Sequence, residues 1–202
     1  MSSPDRDTHR TKLLDAAGRL LRERAYGNIT ARDLVAASGT NLGSIGYHFG
    51  SKEALLNEAI SLALEEWAEQ IGRTLRGADA SSGGMLAWMT GSLGLVLDEY
   101  DSVRPYYQAF IEALARSARS PELRRQLAAH YERQRERIAG WIIDALDGVL
   151  EPRDARHIAS LMLATADGML VQAFVDAGEV PSSAELSGAF AKAMRAAAQA
   201  AN

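Results

Sequence analysis

Apolar residues recur every three or four positions along most of the chain, and the pattern is interrupted by short polar stretches that carry glycine or proline. That period belongs to amphipathic helices. From about Thr8 to Arg24 the stripe is Leu13, Ala17, Leu20 and Leu21, and Ala25-Tyr26-Gly27-Asn28 ends it. Residues 1–7 carry no stripe and read as disordered. Thr30 fits a helix N-cap, with Asp33 three residues on as a shorter relative of the capping box. The helix it starts runs to about Ala37 and is expected to bury Leu34 and Val35. Gly39 suits the left-handed position that closes a helix, and Asn41 can cap the next one at once. That next helix spans only Leu42 to His48; Ile45 and Phe49 face inward, while Ser44, Tyr47 and His48 turn polar groups outward.

The remaining chain continues the same way. Ser51 caps a long helix from Lys52 to roughly Arg76, with Leu55, Ile60, Leu64, Trp67 and Ile71 as its apolar positions. A loop over 77–84 precedes a helix from Met85 to Tyr100. Arg104-Pro105 starts another, because proline suits a first helical position. Pro121 starts one that runs to about Asp147, Pro152 one that ends at Gly178, and Pro181-Ser182-Ser183 one that reaches the C-terminus. The pattern predicts an all-α protein of about nine helices. Within it, Thr30–Phe49 reads as a helix, a tight glycine turn and a second helix: a helix-turn-helix, the usual way to set a helix in the major groove of DNA.

Composition adds little to this and removes several alternatives. The 202 residues are 47% hydrophobic and 24% charged, with no cysteine, so neither a disulfide framework nor a thiolate metal site is available. The net charge of -4 looks wrong for a DNA binder, but its distribution is uneven. Residues 1–60 hold 8 basic and 7 acidic side chains, and the rest hold 14 and 19. Ala80 to Leu97 carries no charge for 18 residues, yet its Gly, Ser and Thr content suits a buried helix behind a loop better than a membrane span. The start of the chain is too polar for a signal peptide. A cytoplasmic protein with no membrane partner is expected. No nucleophile motif or phosphate loop occurs. Asp154 and His157 are three apart on a helix, but a di-iron bundle needs two such pairs and two further glutamates. No enzyme, catalytic residue, cofactor or metal site is expected.

The stretch TARDLVAASGTNLGSIGYHFGSKEALL resembles the DNA-binding signature of the TetR family of bacterial transcriptional regulators, through Thr30, Asp33, Gly39, Gly43, Tyr47, His48, Phe49 and Lys52 in order and spacing. The likeness covers residues 7–67, with the motif at 30–49; residues 68–202 would form a helical ligand-binding and dimerisation domain. The resemblance implies a homodimeric repressor that binds a double-stranded, palindromic operator and releases it when a small-molecule effector binds. It places Thr30 on a phosphate, Asn41, Leu42, Gly43 and Ser44 against base edges and adjoining backbone, and Tyr47, His48 and Lys52 on phosphates. Thr40 joins this set, and Arg32, outward on its helix, touches either phosphate or solvent. Two positions depart from the family. Ala25 stands where glycine is usual, implying strain at the end of the first helix. Gly46 stands where a large residue is common, removing one contact.

In the second part, Trp88, Met89, Tyr106, Tyr107, Phe110, His130, Gln134, Trp141 and Met169 are candidates to line the effector pocket, since such walls are aromatic and methionine-rich with a few polar groups. Core packing explains each equally well. Leu161, Ala164, Leu170, Phe174, Ala189 and Ala193 are candidates for a dimer interface built from the last two helices. The rival class is a helical enzyme or interaction module that does not bind DNA.

Overall fold

A computed structural model of the chain describes residues 3–77, 84–146, 148–176, 178 and 180–200, apart from the side chains at 3–7, 75–77, 84–90 and scattered positions of the last helix. Among the described residues all regular structure is helical: α1 (Ser3–Glu23), α2 (Ala31–Ser38), α3 (Leu42–Phe49), α4 (Lys52–Gly77), α5 (Gly84–Asp98), α6 (Tyr100–Ser117), α7 (Pro121–Ala145), α8 (Pro152–Val175) and α9 (Ser183–Ala200), with a short 3-10 turn at Tyr26–Asn28. Contacts divide the chain into two compact units, 1–67 with 103–131 and 68–102 with 132–202. Helices α4, α6 and α7 therefore each contribute a segment to both units.

The first unit has a continuous core. Leu13, Ala17, Leu20 and Leu21 of α1, Leu34 of α2, Ile45 of α3, and Leu55, Leu56, Ile60 and Leu64 of α4 are buried, together with Val103, Phe110, Leu123 and Leu127 from α6 and α7. Each of these side chains other than Ala17 removes enough apolar surface to contribute about 1.5–3 kcal/mol. This burial holds α2 and α3, which are too short to persist alone.

Several boundaries differ from those the sequence predicts. Helix α1 extends back to Ser3 where disorder is expected; Pro4 suits a first helical turn, since its backbone has no N–H to lose. Helix α6 starts at Tyr100, so Pro105 lies inside it rather than at its first position. The buried Tyr100 and Val103 carry the helical pattern upstream of the proline. The Ser102 N–H and hydroxyl both donate to the Glu99 carbonyl at that start. Helix α8 stops at Val175, three residues before the expected Gly178, whose N–H is taken by the Asp176 carboxylate at 3.0 Å. The loop expected over 77–84 lies mostly outside the described residues. Ala25, expected to be strained, has φ -59° and ψ 142°, an ordinary extended conformation, because the chain leaves α1 without a left-handed turn.

In the second unit α5 packs against α8 and α9. Gly72 of α4 receives the indole of Trp141 from α7, and no side chain would fit between them. Arg156 of α8 pairs with Glu132 and Glu136 of α7. Helix α8 is long and apolar enough to cross a membrane by length and composition, with 28% of its most apolar window buried. Its inner face is Ala155, Ala159, Met162, Met169, Leu170 and Ala173.

Candidate nucleic-acid interface

The two helices Ala31–Ser38 and Leu42–Phe49 are built by bonds between near neighbours. The Thr30 hydroxyl accepts the Asp33 N–H at 3.2 Å, and the Asp33 carboxylate accepts the Thr30 N–H at 2.8 Å and the Thr30 hydroxyl at 2.6 Å. This is a full capping box, which satisfies otherwise unpaired N–H groups. The bonds from Thr30, with Arg24 at 3.1 Å, hold the Asp33 carboxyl below the usual carboxylate range. At the other end Gly39 is left-handed, φ 65°, and the Arg19 guanidinium donates to the Ala37 carbonyl at 3.0 Å. Asn41 caps α3 by accepting the Ser44 N–H at 3.0 Å. Gly50, φ 78°, closes that helix, and the Ser51 hydroxyl accepts the Ala54 N–H to start α4. Lys52 donates to the Ile29 carbonyl at 2.9 Å, directly ahead of Thr30, and lies 3.3 Å from the Glu53 carboxylate.

The side chains expected to meet DNA fall into two groups. Thr30, Arg32, Asn41, Leu42, Gly43 and Tyr47 are exposed, with Leu42 at 55% and Tyr47 at 67%. Thr40, His48 and Lys52 are half-buried; the Thr40 hydroxyl lies 2.7 Å from that of Ser38, and the His48 ring stands edge-on to Tyr47 at 4.9 Å. Ser44 is the exception. Expected to turn outward, it is only 8% exposed, and its hydroxyl lies 3.3 Å from His9 Nδ1 and 3.4 Å from Asn41 Oδ1. The cause is packing of α3 on α1, which brings His9 to this side of the helix.

Three supports escape a reading of the motif alone. Tyr26 is 1% exposed and donates to Asn57 Oδ1 at 3.0 Å, and Asn57 donates to Gln126 Oε1 at 3.0 Å. Burial, reinforced by the charge of Glu53, pushes the Tyr26 phenol up to about 12, against the pull of Arg116. Arg10 pairs with Glu58 and lies 5.4 Å over the Phe49 ring. These bonds tie the strand of chain entering the motif, the helix leaving it and α1 into one unit. The sequence signal for the second was available: Asn57 is a polar residue on the inward stripe of α4.

The expected pocket residues do not form one cluster among the described residues. Tyr107, Phe110 and His130 meet in the first unit, with Phe110 5.5 Å from the His130 ring and Glu65 3.9 Å from His130 Nδ1. Tyr106 instead donates to the Gly18 carbonyl and accepts from Arg22, closing one side of a cavity of about 360 Å³ between α1 and α4. Gln134, Trp141 and Met169 are buried in the second unit. The side chains of Trp88 and Met89 lie outside the described residues. Of the expected interface residues, Leu161, Ala164, Phe174, Ala189 and Ala193 are exposed. Leu170 is buried and belongs to the core, because α8 turns it toward the same side as Met169 and Ala173.

A capped pair of short helices, the second presenting an uncovered face and both fixed to a third and fourth, defines a DNA-binding protein of the helix-turn-helix class. Comparison with known proteins narrows this. Residues 13–59 match the model for bacterial regulatory proteins of the tetR family, and residues 87–198 match that for the C-terminal region of BetI-type transcriptional repressors. The chain belongs to the tetR family, and is accordingly a transcriptional regulator rather than an enzyme. It is 24% identical over 182 residues to the regulator BetI of Burkholderia thailandensis, covering 90% of this chain and 89% of that one. It is 40% identical to the repressor KstR2 of Rhodococcus jostii over 57 residues, a match that spans only 28% of either chain. A transcriptional regulator from Saccharomonospora viridis, solved in complex with choline, is 25% identical with a TM-score of 0.60, over 91% of this chain and 93% of that one. A regulator from Rhodococcus sp. RHA1 has a TM-score of 0.66 at 20% identity, over 90% and 92%.

Proposed function

We propose that the chain is a cytoplasmic homodimeric repressor that binds a palindromic operator through two copies of α3 and leaves it when a small molecule binds. The observation that carries this reading is the uncovered outer face of α3 on a rigidly capped helix pair, with Leu42 and Tyr47 exposed beside Gly43 and Gly46. One such helix reads a half-site, and two spaced about 34–36 Å apart match successive major grooves. Dimerisation is supported by α8. Its outer stripe of Leu161, Ala164, Gly168, Val171 and Val175 leaves apolar surface uncovered, flanked by Phe174, and a second copy would bury it as half of a four-helix bundle. The effector acts by binding the released state better, and the affinity difference sets the coupling. Helix α4 is the natural lever, because Lys52 lies at the motif and the same helix continues into the second unit. Choline is the first effector to try, because the Saccharomonospora viridis neighbour holds it and because aromatic rings beside a carboxylate suit a quaternary ammonium.

Electrophoretic retardation and footprinting on the region upstream of the protein's own gene test this. A salt-dependent shift with a palindromic footprint, reversed by the effector, is expected. No sequence-specific shift would return the chain to a helical module that does not bind DNA.

A further inference from the structure

The outer face of α3 is short of hydrogen-bonding groups. Base edges in the major groove offer donors, acceptors and one apolar feature, the thymine 5-methyl group. Among the described residues, the exposed positions of α3 are Leu42, Gly43, Gly46 and Tyr47. Ser44, the small hydroxyl near the inserted end, faces His9 instead. Asn41 keeps its cap by accepting the Ser44 N–H on Oδ1 at 3.0 Å, and the Ser44 hydroxyl lies 3.4 Å from the same oxygen, so the two lone pairs of Oδ1 are directed at Ser44 while its amide N–H groups remain as donors. The bidentate adenine pair that asparagine makes needs both the oxygen and the nitrogen, so at Asn41 it competes with the contacts to Ser44 that cap α3. Gly43 protects that arrangement, since a Cβ there would crowd Asn41 Oδ1 at 3.1 Å. At Gly46 a Cβ would meet nothing within 4 Å, so bare backbone faces outward. What remains near the inserted end is Leu42, in the first turn, 55% exposed and without a protein partner for its outer surface.

Resting on the reading that α3 enters the major groove, we propose that this helix selects its operator by apolar contact, with the Leu42 methyls packed on a thymine 5-methyl group in each half-site, while Gly43 and Gly46 let the backbone approach closely enough for that contact to form. Readout from α3 is then by the methyl group rather than by hydrogen bonds to guanine or adenine.

The test uses the full-length protein to select duplexes from a random library. The recovered sequence is resynthesised with dU in place of each dT in turn, and with 7-deazaguanine in place of each dG. Affinities are read by fluorescence anisotropy at one salt concentration. One thymine per half-site should be sensitive, losing about fourfold in affinity per methyl removed and about 15-fold when both half-sites are changed, the transfer value of a buried methyl group. Leu42→Ala should erase the difference between dT and dU, and Leu42→Met should retain it; both should melt like the parent, since the side chain is exposed. A dU series with no sensitive position, or a Leu42→Ala protein with an undiminished dU penalty, overturns the proposal and leaves the DNA-binding reading intact. Sensitivity at guanine N7 alone does the same. A library that yields no preferred sequence overturns both.

Discussion

Replacing Tyr26 with phenylalanine separates two things its hydroxyl does. At neutral pH the phenol donates to Asn57 Oδ1 at 3.0 Å, in a core where Asn57 is itself buried. Removing the donor leaves a buried carbonyl oxygen without that bond, at a cost of about 1–3 kcal/mol. At alkaline pH the sign reverses. The phenol titrates near 12 when folded against 10.0 when unfolded, so the unfolded chain gives up the proton first. Stability from this group is complete below pH 10 and is lost as pH rises toward 12. Two units amount to about 3 kcal/mol. Phenylalanine has no proton to lose and is spared that limb.

The two stability curves should therefore converge. Tyr26→Phe should be the less stable protein from pH 7 to 9 and should draw level with, or pass, the parent near pH 11.5. Urea unfolding followed by far-UV circular dichroism at half-unit steps of pH measures this, since midpoints shift with stability while slopes report surface exposed. Other tyrosines and lysines titrate in both proteins and cancel in the difference. Parallel curves up to pH 12 would refute the reasoning, because they would mean that the Tyr26 phenol ionises in the folded protein as easily as in the unfolded one.

Three further outcomes are expected. Gly46→Ala should raise the melting temperature by about 2–4 °C, the effect of roughly 1 kcal/mol of helix propensity at an open helical position, whereas Gly39→Ala, at φ 65°, should lower it; calorimetry showing the opposite order would refute the backbone argument. Lys52→Ala should lower the salt slope of operator binding by about one unit if its ammonium meets a phosphate, and an unchanged slope would leave it as the strut to the Ile29 carbonyl alone. Val171→Glu should give monomers by sedimentation velocity with the helical spectrum retained, while Leu170→Ala should destabilise by about 2–5 kcal/mol without altering association; a Val171→Glu protein that stays dimeric would move the interface off α8.

The motif was legible in the sequence where its chemistry is local. Thr30, Gly39, Asn41 and Ser51 each act on a backbone group within a few residues, so residue type and spacing reveal them. The direction of Ser44 was not legible, because it is settled by His9, 35 residues away along the chain. Pro105 misled for a related reason: proline favours a helix start, but Tyr100 and Val103 are held in the core ahead of it and carry the helix through. Leu170 shows the limit of composition, since α8 is apolar on both faces and only packing against α5 says which is inside. The pocket is the least legible part. Aromatic residues suit a core and a ligand wall equally, and the ring contacts of Phe110 satisfy the first without deciding the second.

The polar atoms of the motif also set limits on what the family resemblance can transfer. A hydroxyl has one hydrogen and two lone pairs. Thr30 gives its hydrogen to the Asp33 carboxylate and takes the Asp33 N–H on one lone pair. A phosphate oxygen needs a donor, so Thr30 can bond one through its hydroxyl only by breaking the bond to Asp33 and weakening the cap of α2. Lys52 differs. Its ammonium has three donors, and the Ile29 carbonyl and Glu53 carboxylate account for two. The third can meet a phosphate with the strut in place. Helix integrity and DNA contact therefore compete at Thr30 and coexist at Lys52. Thr30→Ser, which keeps the hydroxyl, should change operator affinity little under either role. Thr30→Ala should cost folding stability, about 1 kcal/mol for a lost cap, before it costs any phosphate contact. The ratio of those two losses, measured on the same protein by melting and by operator titration, separates the capping role from the contact role.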